Sequence, residues 1–264
     1  MPEDNPIVPA PRGDLTTTGG SNPILDKMVK DALELAKAST ELSDDARVVF
    51  KCPNLEKVVR EALDKPEGEI TRGDLQGLEK LEYHGWDDDK VSDLSGLEHA
   101  LNLTELMLVG NHITDLSSLQ GLTNLTHLSL NRNLIPDLSP LQGLTNLAKL
   151  DLYNNQLTNI SPLQGLTKLT RLDLHQNQIT DLSPLQELTN LTVLSLRDNQ
   201  ITDITPLQGL TNLRRLWLSS NQITDITPLQ GLTNLTDLWL RSNLISQSQK
   251  DDLQRALPNC LITT

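Results

Sequence analysis

Residues 188–209 read LTNLTVLSLRDNQITDITPLQG, and the same frame returns along most of the chain. Its asparagine, Asn199, has counterparts at Asn111, Asn133, Asn155, Asn177, Asn221 and Asn243, a step of 22 residues each time. Around each asparagine the pattern is L-x-x-L-x-x-L-x-L-x-x-N-x-[IL]-x-x-[LI], with Ala100 replacing the opening leucine of the first good copy. The pair Leu194 and Leu196 alternates with period two, so both side chains point inward from one short strand. Stacking the next copy alongside builds a parallel sheet. The asparagine turns inward where the chain leaves the strand, to satisfy loop amides that would otherwise be buried without partners. The return path mostly reads D-[IL]-[ST]-P-L-Q-G. Serine or threonine as N-cap, with proline at the first helical position, suits one 3₁₀ turn, and 22 residues leave no room for more.

A period of 20–29 residues with this spacing is the leucine-rich-repeat pattern. The expected fold is therefore an α/β solenoid: a right-handed superhelix with a concave parallel β-sheet, convex 3₁₀ turns and a helical cap at each end. One copy buries too little to fold alone, so stability comes from stacked neighbours, and the end copies need polar covers. Residues 1–22, rich in Pro, Gly, Thr and Asp, read as a flexible tail. Residues 23–74 form a helical N-terminal cap, with helices over 24–38 and 53–65 and a Thr71–Asp74 capping pair opening a third short turn. A degenerate first repeat occupies 75–99, with Leu75, Leu78, Leu81 and Tyr83 in frame and the polar insertion Trp86, Asp87, Asp88, Asp89, Lys90. Seven repeats fill 100–245. Residues 246–264 close the chain, with a helix over Ser246–Asn259 that lays Leu253, Ala256 and Leu257 on the last repeat.

The 22-residue spacing with D-[IL]-[ST]-P-L resembles the repeats of bacterial internalin-like proteins. So does the entry segment from Pro53-Asn54-Leu55-Glu56 to Lys65-Pro66-Glu67-Gly68-Glu69-Ile70-Thr71, which is similar to that family's helical cap. The resemblance implies a bacterial protein-recognition module, often displayed on or released from the cell. It carries over no functional residue, because the family's binding residues vary with each target.

Composition narrows the function further. The formal net charge is −13, and residues 1–99 carry 22 acidic against 12 basic residues. Such a chain repels phosphate backbones, which argues against nucleic acid as a partner. No run of 18 or more apolar residues offers membrane insertion. The N-terminus lacks the basic and apolar regions of a signal peptide: the reading is cytoplasmic if Met1 is the native start, and secreted or cell-surface if a signal peptide has been removed. Cys52 and Cys260 stand one near each end, roughly 30 Å or more apart at sheet spacing, so two buried free thiols are expected.

Departures from the repeat within this one chain mark where function should lie. The column before the first strand leucine reads Glu105, His127, Lys149, Arg171, Val193, Arg215, Asp237. Between the leucines it reads Met107, Ser129, Asp151, Asp173, Ser195, Trp217, Trp239. After the second it reads Val109, Asn131, Tyr153, His175, Arg197, Ser219, Arg241. Three of the six aromatic residues, Tyr153, Trp217 and Trp239, stand in these columns. Tryptophan, tyrosine and arginine dominate interface energetics, so the candidate partner-binding residues are Tyr153, His175, Arg197, Arg215, Trp217, Asp237, Trp239 and Arg241. The bland alternative has the two indoles merely packing on each other. The partner is expected to be a protein. A glycan stacked on the aromatics is the alternative, and a structural spacer or assembly subunit a more remote one.

Sharper chemistry finds little support. Asp151 and Asp173 share a column about 5 Å apart, near the carboxylate separation of retaining glycosidases, but Lys149 and Arg171 flank them and the face is open to water. No enzyme and no cofactor is expected. The concave histidines, His84, His127 and His175, stand in alternate repeats at least about 10 Å apart, too far to converge on zinc. Asp87, Asp88, Asp89 and Asp93 lack the spacing and glycine of a calcium loop. No metal is expected. The tripeptides Arg12-Gly13-Asp14 and Arg72-Gly73-Asp74 recur by chance. The sequons at Asn102, Asn124, Asn159, Asn190 and Asn234 are by-products of the repeat.

Overall fold

The computed structural model describes residues 43–85 and 89–264. The tail expected over 1–22, the helix over 24–38 and the insertion residues Trp86, Asp87 and Asp88 lie outside the described residues. Nine strands form one sheet in strict chain order, every neighbouring pair parallel. They are β1 (Lys80–His84), β2 (Glu105–Val109), β3 (His127–Ser129), β4 (Lys149–Asp151), β5 (Arg171–Asp173), β6 (Val193–Ser195), β7 (Arg215–Trp217), β8 (Asp237–Trp239) and β9 (Leu261–Thr263). A 3₁₀ turn follows each of β1 to β7 and runs along the opposite side, from Leu97–His99 to Thr227–Leu229.

The core is the column of repeat leucines and isoleucines between sheet and turns. Leu188, Leu191, Leu194, Leu196, Ile201 and Leu207 of the quoted copy are each 0 % exposed. Burying one such side chain contributes about 1.5–3 kcal/mol, and these side chains belong to one buried cluster that runs through all the repeats. Stability is thereby shared along the stack.

The frame asparagines join adjacent repeats. Asn177 donates its carboxamide hydrogens to the carbonyls of Leu152 (3.1 Å) and Leu174 (3.0 Å), and its Oδ1 accepts the backbone N–H of Leu157 (3.1 Å). Asn133, Asn155, Asn199 and Asn221 repeat this arrangement. The residue just before each asparagine takes a left-handed conformation: Gly110 (φ 71°), then Arg132, Asn154, Gln176, Asp198, Ser220 and Ser242 at φ 52–57°. Only the first position uses the residue type that adopts this region without cost.

Two features stand out on the convex side, and the first corrects the sequence reading. Serine or threonine is not the cap of the 3₁₀ turn: Ser139, Ser183, Thr205 and their counterparts are its first residue. The N-cap position is the leucine or isoleucine just before it, and the side chain that accepts the turn's first N–H is that of the aspartate two residues before the serine or threonine. Asp115, Asp137, Asp181, Asp203 and Asp225 accept the backbone N–H of that serine or threonine at 2.8–2.9 Å, and Asn159 does the same for Ser161. A short side chain at that spacing closes an Asx turn. The second feature is another asparagine ladder. Asn102, Asn124, Asn146, Asn190, Asn212 and Asn234 donate to a carbonyl of the preceding repeat at 2.8–2.9 Å. Four of the five sequons are thus rungs of this ladder, and the fifth, Asn159, is a turn cap.

At the N-terminal end, α1 (Pro53–Ala62) buries Leu55, Val58 and Val59. The short helix α2 (Arg72–Gln76) opens with a capping box in which Thr71 Oγ1 accepts from Asp74 N and Asp74 Oδ2 accepts from Thr71 N. Gly96 (φ 105°) lets Phe50 lie flat on the first turn, since a Cβ there would come within 2.7 Å of the phenyl ring. At the other end α3 (Gln247–Ala256) starts on Ser246, whose hydroxyl accepts from Gln249 N, and buries Leu253; Leu257 is buried just beyond it. The chain then adds β9, which the sequence reading did not foresee, pairing Leu261–Thr263 with Asp237–Trp239. Cys52 and Cys260 are buried free thiols. Burial, with help from Asp237, pushes the Cys260 thiol up to about 11. Among the described residues no helix is long and apolar enough to cross a membrane.

Candidate functional site

Sheet register places the three variable columns side by side. Asp151 stands opposite Asp173, Ser195 opposite Trp217, and Trp217 opposite Trp239. Not all of these positions are open to solvent, as the sequence reading supposed. Asp173 (8 %), Ser195 (2 %), Ser219 (7 %) and Asn131 (8 %) are buried, because short side chains lie between tall neighbours that roof them.

The tall residues form two stacked groups. In the first, Tyr153 and His175 lie face to face with ring centroids 4.4 Å apart and planes within 7°, and the Arg132 guanidinium sits 5.6 Å from the Tyr153 centroid. His175 is therefore half-buried rather than freely exposed. Its ring nitrogen Nδ1 and backbone N–H both contact Asp173 Oδ1, at 2.7 and 3.2 Å. Arg132 was absent from the candidates; the only signal was its place one residue beyond the third column.

In the second group Trp217 and Trp239 are 5.6 Å apart and tilted by 40°. The Arg197 guanidinium lies 5.7 Å from the Trp239 centroid, a cation–π distance. Trp217 Nε1 reaches toward Asp237 Oδ2 at 3.5 Å. Arg215 and Arg241 are exposed and make no ion pair among the described residues. The structure brings Tyr153 and His175 together, gathers Arg197, Trp217, Asp237 and Trp239, and leaves Arg215 and Arg241 at the margin.

Between the two groups is a cavity of about 190 Å³ lined by Asp173, His175, Ser195, Arg197, Trp217 and Trp239. A larger depression of about 610 Å³ lies on α1, away from the sheet face, between Pro53 and Pro66; its Arg60 and Glu56 are already joined at 2.7 Å.

The two column aspartates differ in environment. Burial drives the Asp151 carboxyl upward, with the nearby Asp173 charge adding to it, against the pull of Arg171, whose Nε lies 3.3 Å away. Burial also pushes Asp173 up, but hydrogen bonds from His175 and Ser195 outweigh it and hold the carboxyl below its ordinary value. Each carboxylate is engaged by a neighbour in the sheet. Among the described residues no cluster of three or more His, Cys, Asp or Glu is placed to hold a metal ion.

Known proteins agree with this architecture. The family model "Leucine Rich repeats (2 copies)" matches residues 101–143, 145–187, 189–231 and 211–255, and the chain belongs to that family. Within it, internalins are its structural relatives. Internalin C2 of Listeria monocytogenes is 38 % identical, with a TM-score of 0.77 over 81 % of this chain and 94 % of that one. Internalin InlF of the same organism is 32 % identical, with a TM-score of 0.53 over 82 % and 76 % of the two chains. A leucine-rich-repeat protein of Leptospira interrogans is 30 % identical, with a TM-score of 0.56 over 66 % and 52 %. No curated protein sequence matches the chain. Leucine-rich-repeat solenoids of this type generally mediate protein–protein interaction.

Proposed function

We propose that this chain binds a protein partner on the outer face of its sheet, over β4 to β8, with Trp217 and Trp239 at the centre of the contact. The observation that carries this reading is the contrast within the repeat. Core, asparagine and turn positions are nearly invariant from copy to copy, whereas the outward strand columns change at most steps and gather large aromatic and arginine side chains. Their backbones are fixed by a nine-stranded ladder, so little conformational entropy remains to be lost on binding. Indoles combine large area with few rotatable bonds and serve as anchors for that reason. Tyr153, His175, Arg197, Arg215, Asp237 and Arg241 complete a mixed-charge surround suited to one specific partner. The test is a pull-down with the chain as bait, run beside a Trp217→Ala/Trp239→Ala double variant. Partners retained by the wild type and lost by the variant support the reading; equal capture by both contradicts it.

A further inference from the structure

The cavity between the two stacked groups has a chemistry of its own. Its floor is Ser195 and Asp173, 2 % and 8 % exposed, with the Asp173 carboxylate already bonded to His175. Trp217, Trp239 and Arg197, whose guanidinium lies over Trp239, line it from one stacked group, and His175 lines it from the other. A volume of about 190 Å³ is below the roughly 300–1,000 Å³ of small-molecule sites and equals about six water molecules. That is space for a single amino-acid side chain.

Arg197 is incompletely satisfied in the free chain. Its Nε is buried without a hydrogen-bond partner, and its nearest carboxylate, Asp198 Oδ2, lies 3.7 Å from Nη2. Two fifths of the side chain remains exposed. Arg215, in the first column, and Arg241, in the same column as Arg197, form no ion pair among the described residues. The region around the tryptophans thus holds three guanidiniums and three carboxylates, but Asp173 is taken up by His175 and Ser195, Asp198 approaches only Arg197, and Asp237 points to Trp217, which leaves Arg215 and Arg241 without a carboxylate. Guanidinium forks bind carboxylates with short, charge-assisted bonds. The indole walls accept methylenes.

We propose that this cavity is the anchor site for an acidic side chain, a glutamate or aspartate, of a partner polypeptide. The carboxylate meets the exposed end of Arg197, its methylenes lie against Trp217 and Trp239, and flanking acidic residues meet Arg215 and Arg241. The proposal rests on the sheet-face reading above and adds to it the chemistry of the partner.

The probe is a displayed library of random dodecapeptides panned on the whole chain, with enriched peptides then synthesised and titrated. The expected outcome is enrichment of peptides with Asp or Glu next to an apolar residue. Replacing that acid by its amide, or Arg197 by Ala in the protein, weakens binding roughly tenfold or more, and Arg197→Glu shifts selection to basic peptides. The urea midpoint of each variant checks folding. Enriched peptides without an acid, peptides whose binding ignores Arg197, or no enrichment at all would overturn the proposal. So would Arg197-dependent capture of 3′-sialyllactose in place of any peptide. The two readings fail separately. Loss of binding in Trp217→Ala but not in Arg197→Ala removes only the acidic anchor, whereas indifference to both removes the sheet face itself.

Discussion

Asn177 Oδ1 accepts the backbone N–H of Leu157 at 3.1 Å, so a residue in one repeat satisfies a loop amide of the repeat before it. The same side chain gives its hydrogens to carbonyls on both repeats, and it is only 8 % exposed. This is a bond between units rather than within one. It converts weakly folding copies into a single cooperative stack.

Asn177→Ala should therefore cost about 1–3 kcal/mol, the penalty for leaving buried amide groups unpaired. Asn190→Ala, on the convex ladder, removes one exposed bond to the Thr167 carbonyl and should cost no more than about 0.5–1 kcal/mol. Urea midpoints of the two variants check this. Equal losses would contradict the different roles assigned to the two ladders.

The left-handed positions allow a test through the backbone. Gln176 sits at φ 55°, and a β-branched residue there is strained by about 1–3 kcal/mol. Gln176→Val should lower the urea midpoint, whereas Gln176→Gly should leave it unchanged or raise it. A glycine variant as destabilised as the valine one would show that the side chain, not the backbone conformation, matters at this site.

Acid should unfold the chain through its turn caps. Hydrogen bonds from the hydroxyl and backbone N–H of Ser139, Ser183, Thr205 and Thr227 hold Asp137, Asp181, Asp203 and Asp225 below the ordinary 3.8. A carboxyl lowered in the folded state stabilises fully above its unfolded value and loses that contribution as pH falls through the folded one. Asp173 has the same sign; Asp151, raised by burial, has the opposite one and offsets part of the effect. Melting temperature should hold from pH 7 to about 5 and then fall below about 4. Asparagine already caps one turn, at Asn159, so Asp181→Asn/Asp203→Asn/Asp225→Asn should keep the turns and shrink the acid loss. An unchanged loss in that triple variant would assign acid sensitivity elsewhere.

Removing residues 246–264 takes away both α3 and β9. The edge of β8 then loses its partner strand and Leu240 its backbone bond to Thr263 (2.7 Å). An open edge over an apolar face promotes association, so the shortened chain should aggregate or fray from that end. A monomer with an unchanged melting temperature would show that this segment covers nothing essential.

Much of the fold was legible because the repeat states it many times over. Seven asparagines at a step of 22 fix the period, and L-x-L fixes which strand face is inward. The capping pair Thr71–Asp74 was readable because both partners lie within one helical turn. What escaped depended on context beyond one copy. The aspartate caps were hidden by the stronger serine–proline signal beside them. The convex asparagine ladder looked like sequons, since its partners are carbonyls 23 to 26 residues away. β9 has a single short LIT segment and no repeat to announce it. In the candidate site, residue types and columns were legible, but side-chain height was not. His175 stacks on Tyr153, and Asp173 and Ser195 lie beneath their neighbours, because adjacent columns compete for the same space.

The most direct test of the central claim is calorimetric titration of a partner, isolated by pull-down, against Trp217→Ala, Trp239→Ala, Gln208→Ala and Gln230→Ala. The two glutamines lie on the convex side, directly after the 3₁₀ turns. Each tryptophan change should weaken binding by about 2–4 kcal/mol, while the glutamine changes leave it within about 0.5 kcal/mol of wild type. Wild-type affinity in both tryptophan variants, together with loss of binding in a glutamine variant, would place the partner on the opposite face and contradict the account.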